Sequence, residues 1–168
     1  MNNDITDLLI SHEVGHALFT PQSGWEKSVI EKKIPKSFLN VIEDARIEKL
    51  IKRKYPGLSQ SFIRGYRDLI KNDFFGTKDK DVNELLLIDR LNIHFKSSHV
   101  ESPVVFKDDY ENDVVSRMNN LETFDDVIKL AEELSEYCKD EAEQKEQEMQ
   151  SVTGLSLIHI SEPTRPTP

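Results

Sequence analysis

With 168 residues, 37% of them hydrophobic and 32% charged, the chain has the length of one domain, or of one domain and a tail, around a lean core. Its net charge of -9 repels phosphate backbones and excludes sequence-independent nucleic-acid binding, and no run of about 18 apolar residues offers a membrane span. A single cysteine, Cys138, permits neither an intrachain disulfide nor a cysteine zinc cluster, so any metal has to be held by histidines and carboxylates.

A first helix is predicted over residues 4–19. Asp4 is its N-cap, and Ile5, Leu8, Leu9, His12, Gly15, His16 and Phe19 recur at helical spacing. Thr20-Pro21 closes it, because a residue before proline avoids helical angles. Residues 22–35 read as a loop with a short extended stretch at 27–30. A second helix is predicted over 36–55, opened by Pro35 in the first-turn position and ended by Pro56-Gly57. Lys49, Lys52, Arg53 and Lys54 gather at its C-terminal half, where the helix dipole favours cations. Further helices are expected over 59–74 and 81–96, then a loop over 97–109 with a short strand at 104–106. Helices resume over 110–119 and from 124 onward. The fold class that follows is mainly α, with little or no sheet. From 132 to 150 Glu, Lys, Gln and Asp dominate. This composition reads as a solvated helix or flexible linker rather than core, with Cys138 incidental to it.

His12-Glu13-Val14-Gly15-His16 matches H-E-x-x-H. Residues four apart share one helix face, so the two imidazoles can bind a single Zn²⁺. Glu13 then stands beside the metal as a general base for water. Gly inside a helix costs roughly 1 kcal/mol against Ala, so Gly15 implies a close approach of another backbone. The bland alternative is a pair of partly buried histidines on a core helix.

A catalytic zinc needs a third protein ligand. The predicted source is the second helix, Asn40-Val41-Ile42-Glu43-Asp44-Ala45-Arg46-Ile47-Glu48. Glu43 falls on the stripe of Leu39, Ile47 and Leu50, where a carboxylate is costly unless paired or metal-bound, which makes it the first candidate. Asp44 is the runner-up; if it binds, Glu48 one turn later can orient a histidine. Arg46 can fix one of these carboxylates by a bidentate ion pair. Tyr66 and Arg67 are candidates for oxyanion donors, with plain packing the expectation, and His94 and His99 are candidates for a transition-state donor, with surface or capping roles the expectation.

The two strings, His-Glu-x-Gly-His-Ala-Leu-Phe-Thr and Leu-Asn-x-x-Glu-Asp-Ala-Arg-Ile-Glu, together resemble a family of metallopeptidase-like proteins. In that family a zincin-type domain precedes a von Willebrand factor A domain. The likeness is to proteins described as cobaltochelatase-subunit-like and to counterparts encoded by tailed bacteriophages, over residues 5–75. It implies a zincin-like helical metal-binding domain over 1–131, shortened at its N-terminus, with His12, His16 and Glu43 on zinc. Residues 132–153 would be an acidic helical linker ahead of a missing C-terminal domain through which a partner protein is bound. No Asp-x-Ser-x-Ser motif of such a domain is present, so magnesium binding and chelatase partnership do not carry over. Residues 155–165, Leu-Ser-Leu-Ile-His-Ile-Ser-Glu-Pro-Thr-Arg, resemble the translation of a sequencing-library transposon adapter. The tail over 154–168 is therefore expected to be artefactual, and His159 is excluded as a ligand.

The expected activity is zinc-dependent hydrolysis of a peptide or protein substrate, without nucleic acid or membrane. The expected place is the cytoplasm, that of the host for a phage-encoded chain. The alternative is a non-catalytic, zinc-stabilised module that binds partners.

Overall fold

The computed structural model describes residues 3–97 and 101–161, and side chains as far as Gly154. His99 and the side chains of the tail beyond Gly154, His159 included, lie outside the described residues. Among the described residues there are seven α-helices, one 3-10 turn and no strand. The helices are α1 (Asn3–Phe19), α2 (Gln22–Ile30), α3 (Lys36–Lys54), α4 (Leu58–Lys71), α5 (Leu87–Lys96), α6 (Asp109–Asn119) and α7 (Phe124–Ser161), with the 3-10 turn at Val82–Glu84. The mainly α class is thus what the chain adopts, with no sheet among the described residues.

Helix α3 is the hub, lying against α1, α4, α5, α6 and α7. Its buried residues, Leu39, Ile42, Glu43, Arg46, Ile47, Glu48 and Ile51, occupy more than one stripe, as a helix covered on several sides requires. One core joins Leu39 and Ile42 to Leu87 and Leu91 of α5, Val114 and Met118 of α6, and Val127, Leu130 and Leu134 of α7. A smaller one joins Leu8 of α1 and Ile51 to Phe62 and Tyr66 of α4.

Three segments depart from expectation. Residues 22–30 form α2, not a loop with an extended stretch. The Trp25 N–H donates to the Pro21 carbonyl at 2.9 Å, and Trp25 and Val29, one turn apart, pack on the larger core. Tertiary burial, more than propensity, holds so short a helix. The helix expected over 81–96 is broken: Asp81 caps the 3-10 turn through the Asn83 N–H, and Leu85 and Leu86 are extended. The Leu85 carbonyl accepts from Arg90 Nε at 2.9 Å, and the Leu87 N–H donates to Glu141 Oε2 at 2.9 Å. Residues 104–106 form no strand; the Val105 N–H donates to the Asn83 side chain instead.

The acidic segment is also partly core. Leu134 and Cys138 are buried and Glu141 meets Arg90 at 3.2 Å, because 127, 130, 131, 134, 138 and 141 share one face at helical spacing. From 142 to 153 all but Lys145 is exposed, as the composition implied.

Candidate metal centre

Helix α1 presents His12 and His16 toward α3, with Leu8 and Gly15 as its buried residues. A Cβ on Gly15 would stand 3.0 Å from Ile47 Cδ1 and 3.6 Å from the Ile47 carbonyl oxygen. Gly15 therefore answers to the close approach of α3. The contact falls between the two histidines on α1 and between Asp44 and Glu48 on α3. Two pairs of residues, each four apart, are thereby set face to face.

The imidazole Nε2 atoms of His12 and His16 are 3.1 Å apart. Asp44 Oδ1 lies 2.9 Å from His16 Nε2 and 3.3 Å from His12 Nε2. On the outer sides, His12 Nδ1 is 3.0 Å from Glu48 Oε1 and His16 Nδ1 is 2.9 Å from Thr20 Oγ1. The Tyr66 hydroxyl donates to the same Glu48 oxygen, and Lys96 Nζ donates to Asp44 Oδ2 at 3.1 Å. Asp44 thus keeps one oxygen on the histidines and the other on a lysine.

These contacts set the charges. Burial works against protonation of His12, yet its hydrogen bonds to Asp44 and Glu48 prevail and raise its pKa to about 10. Burial would likewise raise the Asp44 carboxyl, but the hydrogen bonds from His12 and His16 and the charge of Lys96 hold it well below the usual carboxylate range. Burial, then the negative charge of Glu48, pushes the Tyr66 hydroxyl far above its ordinary value.

Glu43, the first candidate for third ligand, is not among these groups. It is fully buried in a bidentate pair with Arg46, whose Nε donates to Oε1 at 2.5 Å and Nη2 to Oε2 at 3.0 Å. Arg46 Nη2 also donates to the Phe19 carbonyl at 2.8 Å and Nη1 to the Glu122 carbonyl at 3.2 Å. The cost of a carboxylate on the apolar stripe is met by arginine, which also satisfies a carbonyl at the end of α1. Asp44 faces the imidazoles instead, with Glu48 one turn on against His12.

The structure adds Thr20 and Lys96, and brings Tyr66, for which plain packing is the expectation, onto Glu48. Thr20 lies four residues after His16, so helical spacing could have found it; Lys96 comes from another helix and leaves no such signal. Arg67 pairs with Glu101 at the surface, and His94 Nδ1 is 2.8 Å from Ser102 Oγ.

Glu13 is exposed and opens onto a cleft of about 920 Å³ that also touches His12, His16 and Asp44, with Trp25 and Glu26 of α2 on its wall. The donor set fits zinc on chemistry and spacing. Bonds of about 2.0–2.1 Å to a tetrahedral ion put neighbouring ligand atoms roughly 3.3 Å apart, close to the three separations here. Histidine nitrogens anchored from behind by a carboxylate or hydroxyl are the usual support of such sites. His12, His16 and Asp44 form the group of potential ligands that the described residues bring together. No protein-family model, curated protein or solved structure matches the chain.

Proposed function

We propose that the chain is a zinc-dependent metallopeptidase-like domain in which His12, His16 and Asp44 hold the metal and Glu13 is the general base. The observation that carries this reading is the convergence of two Nε2 atoms and one carboxylate oxygen within 2.9–3.3 Å at the edge of an open cleft. The likeness of the two sequence strings to a zincin-type domain supports it. When bound, zinc supplies Lewis acidity, which polarises a carbonyl and acidifies water. Glu13 faces the same cleft and would be the group that takes a proton from water there and passes it to the leaving amine nitrogen. Glu48, pinned by Tyr66, holds the His12 ring, and Thr20 holds that of His16, so that both Nε2 atoms turn inward. Lys96 holds the second oxygen of Asp44, which would leave the first for the metal. No helix among the described residues is long and apolar enough to cross a membrane, and a cytoplasmic setting fits the lone buried cysteine.

A second reading is a non-catalytic, zinc-stabilised module that binds a partner. The exposed apolar residues Ile10, Val14 and Leu18 on α1 favour it, since such stripes mark interaction surfaces.

Glu13→Gln separates the two. The wild type should take up one zinc per chain and cleave a peptide library. The variant should take up zinc equally and lose about 10²–10⁴-fold in rate. Zinc uptake with no cleavage by the wild type would favour the module, and a chain that takes up no stoichiometric zinc would end both readings.

A further inference from the structure

Beside Glu48, residues of α3, α4, α5 and α6 line a second cavity of about 320 Å³. It shares no lining residue with the cleft. Its walls are apolar at Phe62, Ile63, Phe95 and Met118, and three lysines, Lys49, Lys52 and Lys96, reach it. Two of these are engaged: Lys49 donates to the Leu121 carbonyl and to Glu122, and Lys96 to Asp44. Glu48, the carboxylate in the lining, is held by His12 and Tyr66.

Lys52 is different. Its ammonium sits 4.9 Å from the centre of the Phe62 ring, and among the described residues no carboxylate or carbonyl takes a hydrogen bond from it. Burial lowers its pKa, with only the more distant charge of Glu48 opposing. A half-buried ammonium that lies over a ring, lines a cavity and has no hydrogen-bonding carboxylate among the described residues offers a counter-charge to an anion.

We propose that this cavity binds a small organic carboxylate with an apolar body, its carboxylate on Lys52 and its body against Phe62, Ile63, Phe95 and Met118. The volume is that of a small-molecule site. A single available ammonium matches a monoanion. A phosphate would bring further charge into apolar walls at a desolvation cost that nothing there offsets.

The test is calorimetric titration of the full chain with phenylacetate, phenylacetamide and inorganic phosphate, repeated on Lys52→Met and Lys52→Arg. Phenylacetate should bind saturably. Phenylacetamide and Lys52→Met should each weaken binding about tenfold or more, the worth of one charge-assisted hydrogen bond, while Lys52→Arg stays within a few-fold of wild type. No saturable binding of phenylacetate would overturn the proposal. So would equal binding of the amide or of phosphate, or equal affinity in Lys52→Met, which is also what capture of the carboxylate at the histidine cluster would give. The proposal does not depend on the metal reading.

Discussion

Neighbours on a helix point about 100° apart, and on α3 that rotation sends Glu43 into the core with Arg46 and Asp44 out toward the imidazoles of α1. The two carboxylates should therefore fail differently. Asp44→Asn is expected to lower zinc affinity by more than the roughly 10–100-fold typical of outer-sphere partners, and to cost the zinc-free chain some stability as well, because Lys96 and the histidines lose the charge they face. Glu43→Gln should keep zinc affinity within a few-fold but lose about 3 kcal/mol of stability, because Arg46 stays buried without its counter-charge. Competitive zinc titration and urea denaturation of both variants check this, and the reverse pattern would restore Glu43 as ligand. The histidine pair was legible from spacing alone. The choice between Glu43 and Asp44 was not: the apolar stripe puts Glu43 first, whereas the side on which α1 docks brings Asp44 to the imidazoles. The apolar stripe makes the cost at Glu43 legible, and Arg46 is legible as a partner for one of the carboxylates, but not which of them it takes.

Between elements, α1 and α4 meet at Gly65. A Cβ there would lie 2.8 Å from Leu8 Cδ1 and 2.9 Å from the Asp4 carbonyl oxygen, and the second of these is backbone that a rotamer change cannot move. Gly65→Ala is expected to destabilise by about 1–3 kcal/mol through overpacking, read as a lower urea midpoint, although Ala has the higher helix propensity. The segment joining α6 to α7 is tied to α3 by Glu122, which accepts from Arg53 at 2.8 Å and from Lys49 at 3.2 Å. The Arg53 and Lys49 contacts bring its carboxyl down to about 2. A depressed folded-state pKa gives stability that is present above the unfolded value, near 4.3, and is lost as pH falls through about 2. Thermal melts from pH 5 to pH 2 should lose less in Glu122→Gln than in wild type, and parallel curves would show that the tie contributes nothing. Long periodic helices such as α1 and α3 could be read from the sequence because caps, prolines and apolar spacing agree. Helix α2 could not, since Trp25 becomes helical by lying against Phe124, at 6.4 Å between ring centres, a residue a hundred positions away. The charged stretch of α7 misled for a related reason: Leu134 and Cys138 are few, yet they fall on one face.

For the whole molecule, α3 carries buried charge at its centre, and a second buried charge, Arg90, ties α5 to α6 through Glu111 at 2.7 Å and to α7 through Glu141 at 3.2 Å. Cys138 lies in the same region, buried at 2% exposure, and burial pushes its thiol up to about 11. It should therefore react with a thiol reagent at neutral pH only as fast as the chain opens globally. Labelling rates that follow the urea unfolding curve are the expected result, and rapid labelling of the native chain would show that α7 is not docked. The contact of Gly15 with Ile47 has a consequence for the histidine pair as well. Neither α1 nor α3 carries enough donors to hold a metal tightly by itself, and that point of touch is the calliper that sets how far their side chains can reach one another. A chain that kept every helix but let the two drift apart would contain all the right groups and grip an ion no better than a loose peptide. On the proposed reading, metal uptake would report how well the interior is assembled.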